Sequence, residues 1–156
     1  MSSFVDGYIE PILSQVDLEN LMDYIENSQL GIERIPKNEL YNYPDYLIPS
    51  GNVFSFIIGD VPGYPNATYL IDYCEYAPDT DIAFPPDPKE RLDILINTLI
   101  DMIKITHASK LVVSINDCNQ IETIKKIKFA EMREVLHADF AKYQAPPDTL
   151  YEIICE

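Results

Sequence analysis

Residues 87–107 constrain the fold more than any other stretch of the chain. Asp87 stands as a helix N-cap, Pro88 falls at the first helical position, and Glu90 completes a capping-box pattern. Leu92, Leu95, Ile96, Leu99 and Ile103 then recur at helical spacing and make one apolar stripe. Ile94 and Ile100 widen that stripe, while Asp93, Asn97, Asp101 and Lys104 form the opposite, polar face. A helix apolar over so much of its girth has to be covered on most sides. It is expected at the centre of the fold, ending near His107.

The neighbouring segments supply the cover. Residues 53–58 (Val-Phe-Ser-Phe-Ile-Ile) read as a buried strand, as do 111–115 (Leu-Val-Val-Ser-Ile) and 150–155. Residues 68–76 alternate Leu70, Asp72, Cys74 and Tyr76 against Tyr69, Ile71, Tyr73 and Glu75. They follow a turn-rich connection at 59–66, so they are expected to pair antiparallel with 53–58. Further helices are expected at three places. The first is a short one over 4–14, limited by Pro11. The second spans 17–29, with Asp17 as cap, Gly31 as stop and Leu18, Leu21, Met22 and Ile25 facing inward. The third spans 120–142 behind Asn119 and Glu122. It breaks near Lys128, because Lys125, Lys126 and Lys128 spoil its apolar face, and resumes with Met132, Leu136 and Phe140 until Pro146 and Pro147 stop it. The expected fold is α+β: a single domain with a mixed, roughly four-stranded sheet packed against helices. N-terminal helices and a β-hairpin precede a helix-strand-helix-strand run whose strands are parallel, right-handed neighbours.

The 156 residues suffice for one core without a disulfide or metal. Cys74, Cys118 and Cys155 are odd in number and form no Cys-x-x-Cys pair, so they read as buried or isolated thiols. The start of the sequence lacks the basic and apolar regions of a signal peptide, and no run is long enough to span a membrane; a cytoplasmic location is expected.

Charge is where the sequence departs most from an even distribution. The chain carries 26 acids and 11 bases, net −15. Residues 1–88 hold 15 of the acids and only two bases, Arg34 and Lys37, whereas residues 89–156 are nearly balanced at −2. The first part also holds nine of the 11 tyrosines and ten of the 12 prolines. An acidic, tyrosine-rich, loop-rich part thus precedes a regular, charge-balanced scaffold made by residues 89–156. Such a field repels nucleic acid and anionic membranes and attracts a basic protein.

Motifs for chemistry are sparse. Asp79-Thr80-Asp81 begins like a calcium loop, but Ile82, Ala83 and Phe84 follow where oxygen ligands and a glycine are needed. Gly59 and Gly63 lack the remainder of a phosphate loop, and no nucleophile elbow occurs. His107 and His137 have no catalytic partner at a recognisable spacing and read as structural. Asn66-Ala67-Thr68 matches a glycosylation sequon by chance, and the Lys125, Lys126, Lys128 cluster reads as a solvated face. No cofactor, metal or catalytic residue is assigned.

These observations favour a protein-binding domain that neutralises or regulates a basic partner. In size and charge the chain resembles bacterial immunity proteins that block nuclease toxins, although it carries no family motif. The expected partner-binding residues are Tyr41, Tyr43, Asp45, Tyr46, Asp60, Tyr64, Asp72, Glu75, Tyr76, Asp79 and Asp81. The alternatives are an interaction or assembly domain whose tyrosines are ordinary sheet residues, or a small enzyme using carboxylates from residues 60–87. A perturbed carboxylate in a cleft would favour the enzyme.

Overall fold

A computed structural model describes residues 3–64, 66–71, 84–117 and 120–155. Its centre is one six-stranded mixed sheet: β1 (Ser3–Glu10), β2 (Ile32–Arg34), β3 (Phe54–Ile58), β4 (Lys110–Asp117), β5 (Thr123–Lys128) and β6 (Thr149–Ile154), in the order β2-β3-β1-β4-β6-β5. Among the described strands only β5 and β6 run parallel. Among the described residues four α-helices accompany it: α1 (Gln15–Glu26), α2 (Ala67–Ile71), α3 (Pro88–Thr106) and α4 (Met132–Tyr143). The α+β class is as expected, with six strands in place of about four.

Helix α3 forms as its sequence dictates. The Asp87 side chain accepts from the Lys89 N–H, Pro88 opens the first turn, and His107 closes the helix in the left-handed conformation. Leu92, Leu95, Ile96, Leu99 and Met102 are fully enclosed against Val5, Ile9, Phe54, Phe56, Val113 and Ile153 on one face of the sheet. Leu21 of α1, Leu70 of α2, and Leu136 and Phe140 of α4 complete that core.

Four expectations are overturned. The strands expected as parallel, right-handed neighbours are not: β4 and β6 pair antiparallel, and β1 stands between β3 and β4. Residues 3–10 form the central strand β1, not a helix. Val5, Gly7 and Ile9 alternate toward the helices, and a Cβ on Gly7 would overlap the Val112 carbonyl, so glycine lets β1 and β4 pair closely. Residues 67–71 form α2, not the start of a strand paired with 53–58. Asn66 Oδ1 accepts the Thr68 N–H at 2.8 Å, and Ala67, Leu70 and Ile71 bury one helical face, so β3 pairs with β1 and β2 instead. Residues 123–128 form the edge strand β5, not the first part of a helix. Lys125 and Ile127 point to the helix side and Ile124, Lys126 and Lys128 to the other, which suits the period of a strand. A smaller correction concerns α1, which is capped by Ser14, whose Oγ accepts the Asp17 N–H. Met22, expected inside, is exposed.

The second face of the sheet carries no helix among the described residues. Residues 36–53 cross it as a strap with two short 3-10 turns, seating Leu40, Tyr43, Leu47 and Val53 on Tyr8, Val112 and Leu150. The strap leaves one corner of this face, over β2, β3 and β1, partly open.

Candidate functional site

Strand β1 places Asp6 on the second face, inside the apolar run Phe4-Val5-Asp6-Gly7-Tyr8-Ile9. Cross-strand pairing sets it in a row that runs Glu33, Ile57, Asp6, Ser114, Leu150, Ile124 from one edge of the sheet to the other. Asp6 is only 4% exposed, an unusual position for a carboxylate. The strap supplies its partner. The Tyr43 hydroxyl donates to Asp6 Oδ1 at 2.7 Å and lies 3.2 Å from the Asp6 carbonyl oxygen.

Burial pushes the Asp6 carboxyl up to about 6, against the opposing pull of the Tyr43 hydrogen bond. Burial and the nearby Asp6 charge push the Tyr43 hydroxyl well above its ordinary value, so it stays a donor. Other polar side chains are buried beside this pair. Ser114 lies directly across from Asp6, Asn116 donates to Ser114 Oγ, and neither Asn116 Oδ1 nor Ser55 Oγ finds a partner among the described residues. A polar seam thus runs through an otherwise apolar sheet face.

Over Asp6 lies a cavity of ≈ 170 Å³. Four carboxylates line it: Asp6 in its wall and Glu33, Glu39 and Asp60 on exposed residues. Its apolar walls are Phe4, Ile35 and Ile57, and Tyr41 completes the lining. Among the described residues no basic side chain lines the cavity, and no cluster of three or more His, Cys, Asp or Glu is arranged to hold a metal ion.

The structure distributes the expected partner-binding residues unevenly. Tyr41 and Asp60 line the cavity together. Asp45 and Tyr46 are exposed on the strap, and Tyr64 is partly exposed beside Gly31, near the turn that carries Asp60. Tyr43 is a correction: it is buried and positions Asp6, so it is not a surface contact. Asp72, Glu75, Tyr76, Asp79 and Asp81 lie outside the described residues, as do the Asp79-Thr80-Asp81 segment, Cys74 and Cys118. Sequence reasoning missed Asp6, Glu33 and Glu39. The available signal was a lone carboxylate in an apolar run, hidden because that run was read as a helix.

Neither histidine nor Cys155 is among the residues lining this cavity. His137 Nε2 lies 2.8 Å from Asp93 Oδ1, and Arg133 joins the same carboxylate. Burial raises Asp93, but the hydrogen bonds and charges of His137 and Arg133 outweigh it and hold the carboxyl below its ordinary value. His107 faces Asp17 at 3.4 Å on the surface. Cys155 is buried, and burial pushes its thiol up, away from the nucleophilic form. No helix among the described residues is long and apolar enough to cross a membrane. No family model, curated protein or solved structure matches the chain.

Proposed function

We propose that this protein binds and neutralises a basic protein partner through the open corner of the second sheet face, in the manner of bacterial immunity proteins that block nuclease toxins. The observation that carries this reading is the cavity of Asp6, Glu33, Glu39 and Asp60, with Tyr41 in its lining. Nuclease surfaces are basic because they hold phosphates. A carboxylate-lined face offers the same sign of charge, and tyrosines add contact area at low entropic cost. Exposed Tyr46 and Asp45 on the strap and Tyr64 near the Asp60 turn enlarge the same kind of surface.

A small carboxylate-using enzyme is the second reading, favoured by Asp6 held at about 6, where a general base works best. The cavity argues for binding instead. At ≈ 170 Å³ it lies below the roughly 300–1,000 Å³ of small-molecule clefts. Among the described residues its lining also supplies no serine, cysteine, histidine or cation to act beside the carboxylates.

Affinity purification from the native cell at low salt is expected to recover one dominant basic protein. Co-expression with a toxin encoded next to the gene is expected to restore growth. Recovery of acidic or unrelated proteins only, together with undiminished toxicity, would overturn the reading.

A further inference from the structure

We propose that the cavity over Asp6 is a socket for one lysine side chain of the basic partner, with Asp6 as its buried counter-ion. This rests on the basic-partner reading and specifies how the partner is anchored. Size and shape come first. The ≈ 170 Å³ suits one side chain rather than a small-molecule ligand. Phe4, Ile35 and Ile57 are apolar where an alkyl stem would pass, and carboxylates stand both in the wall and on exposed residues around it. That arrangement complements a four-carbon stem with a charged tip.

The decisive group is Asp6, because it is no ordinary surface acid. It is more than nine-tenths buried and yet lines the cavity. Its Oδ1 takes the Tyr43 hydrogen bond, and its Oδ2 receives none from the described residues. That leaves the carboxyl able to take a further donor arriving through the cavity it lines. An arginine carries a broad planar fork, whereas the small cavity between Phe4, Ile35 and Ile57 fits the slender stem of a lysine. An ammonium has three rotatable donors, so it can meet Oδ2 and the outer carboxylates separately.

The groups around Asp6 are Ser114 on β4, Ser55 and Ile57 on β3, Glu33 on β2, Tyr43, Glu39 and Tyr41 on the strap and its approach, and Asp60 after β3. None is cationic. Lysine stays charged across the range in which Asp6 gains its proton at about 6, so the contact weakens as the solution becomes acid.

The test uses the full chain and a blocked lysine, Nα-acetyl-lysine methylamide, titrated by amide NMR. The blocked norleucine and blocked arginine compounds and free cadaverine serve as comparators. The lysine compound is expected to shift the amides of Phe4, Asp6, Glu33 and Ile57, and to bind about tenfold or more tightly than norleucine. It is expected to weaken by a similar factor in Asp6→Asn and on going from about pH 7.5 to about pH 5. Glu33→Gln and Asp60→Asn, both at exposed positions, are expected to weaken it less; they keep the test valid should Asp6→Asn fold poorly. Equal binding of norleucine, tighter binding of arginine or cadaverine, or no change in any of the three variants overturns the socket. A recovered basic partner that binds Asp6→Asn as tightly as the native chain overturns the socket and leaves the basic-partner reading standing. Lysine-compound binding without any basic partner does the reverse.

Discussion

At the scale of single residues, the buried carboxyl of Asp6 costs the fold stability. Its carboxyl moves from 3.8 to about 6 because burial disfavours the charge. The folded state therefore holds this proton more tightly than the unfolded chain does. Between about pH 4 and about pH 6 the unfolded state loses its proton first, so stability falls as pH rises through that window. Above it, the full penalty remains, roughly 3 kcal/mol at 1.36 kcal/mol per unit. Asp6→Asn keeps an acceptor for Tyr43 and removes the charge. We expect urea unfolding at about pH 7.5 to show the variant more stable by roughly 1–3 kcal/mol, with the two proteins converging below about pH 4. A variant less stable at neutral pH would mean that Asp6 is held by a cation within the fold rather than left for a partner.

At the scale of elements, local signals account for what the sequence made legible. α3 was readable because Asp87, Pro88 and Glu90 declare its start, and its stripe needs no distant partner to be recognised. β4 and β6 were readable as short β-branched runs. β1 was not, because Phe4, Val5, Tyr8 and Ile9 also fall at helical spacing, and only pairing with β3 and β4 decides against it. Misreading β1 hid Asp6, so the candidate site was legible only at Tyr41 and Asp60. β5 was missed for a different reason: its helix-side lysine looked solvated. Lys125 in fact bonds both oxygens of Asp139 on α4, at 2.7 and 2.8 Å, and the Tyr151 hydroxyl of β6 donates to the same carboxylate. One carboxylate thus ties the edge strand, its neighbour and the covering helix. Lys125→Met leaves Asp139 with the tyrosine alone. Because the lysine side chain is 38% exposed, solvent reduces the loss, and we expect roughly 1–3 kcal/mol by urea unfolding. The cavity lies on the opposite face, so blocked-lysine binding is expected to be unchanged. A fully stable Lys125→Met would show that β5 is held by its parallel ladder alone.

At the scale of the whole molecule, the question is whether the net charge of −15 acts as a diffuse field or through one corner. A diffuse field slows or speeds every charged partner equally, whichever acid is changed. A local field depends on where the acid stands, because charges farther apart than about 10 Å are largely screened at 0.1 M salt. The sheet is polarised along its width. Glu33, Asp6 and Asp60 gather at the β2-β3-β1 corner, whereas Lys126 and Lys128 stand on the β5 edge. Asp60→Lys and Glu134→Lys change the net charge by the same amount, the first beside the cavity and the second on exposed α4. With the basic partner recovered by co-expression, stopped-flow association at low salt is expected to be slowed several-fold more by Asp60→Lys than by Glu134→Lys. The difference is expected to close as salt rises toward about 0.5 M, with dissociation changing little for Glu134→Lys. Equal slowing by both substitutions would mean that the whole acidic surface steers the partner and that the corner has no special part in the encounter.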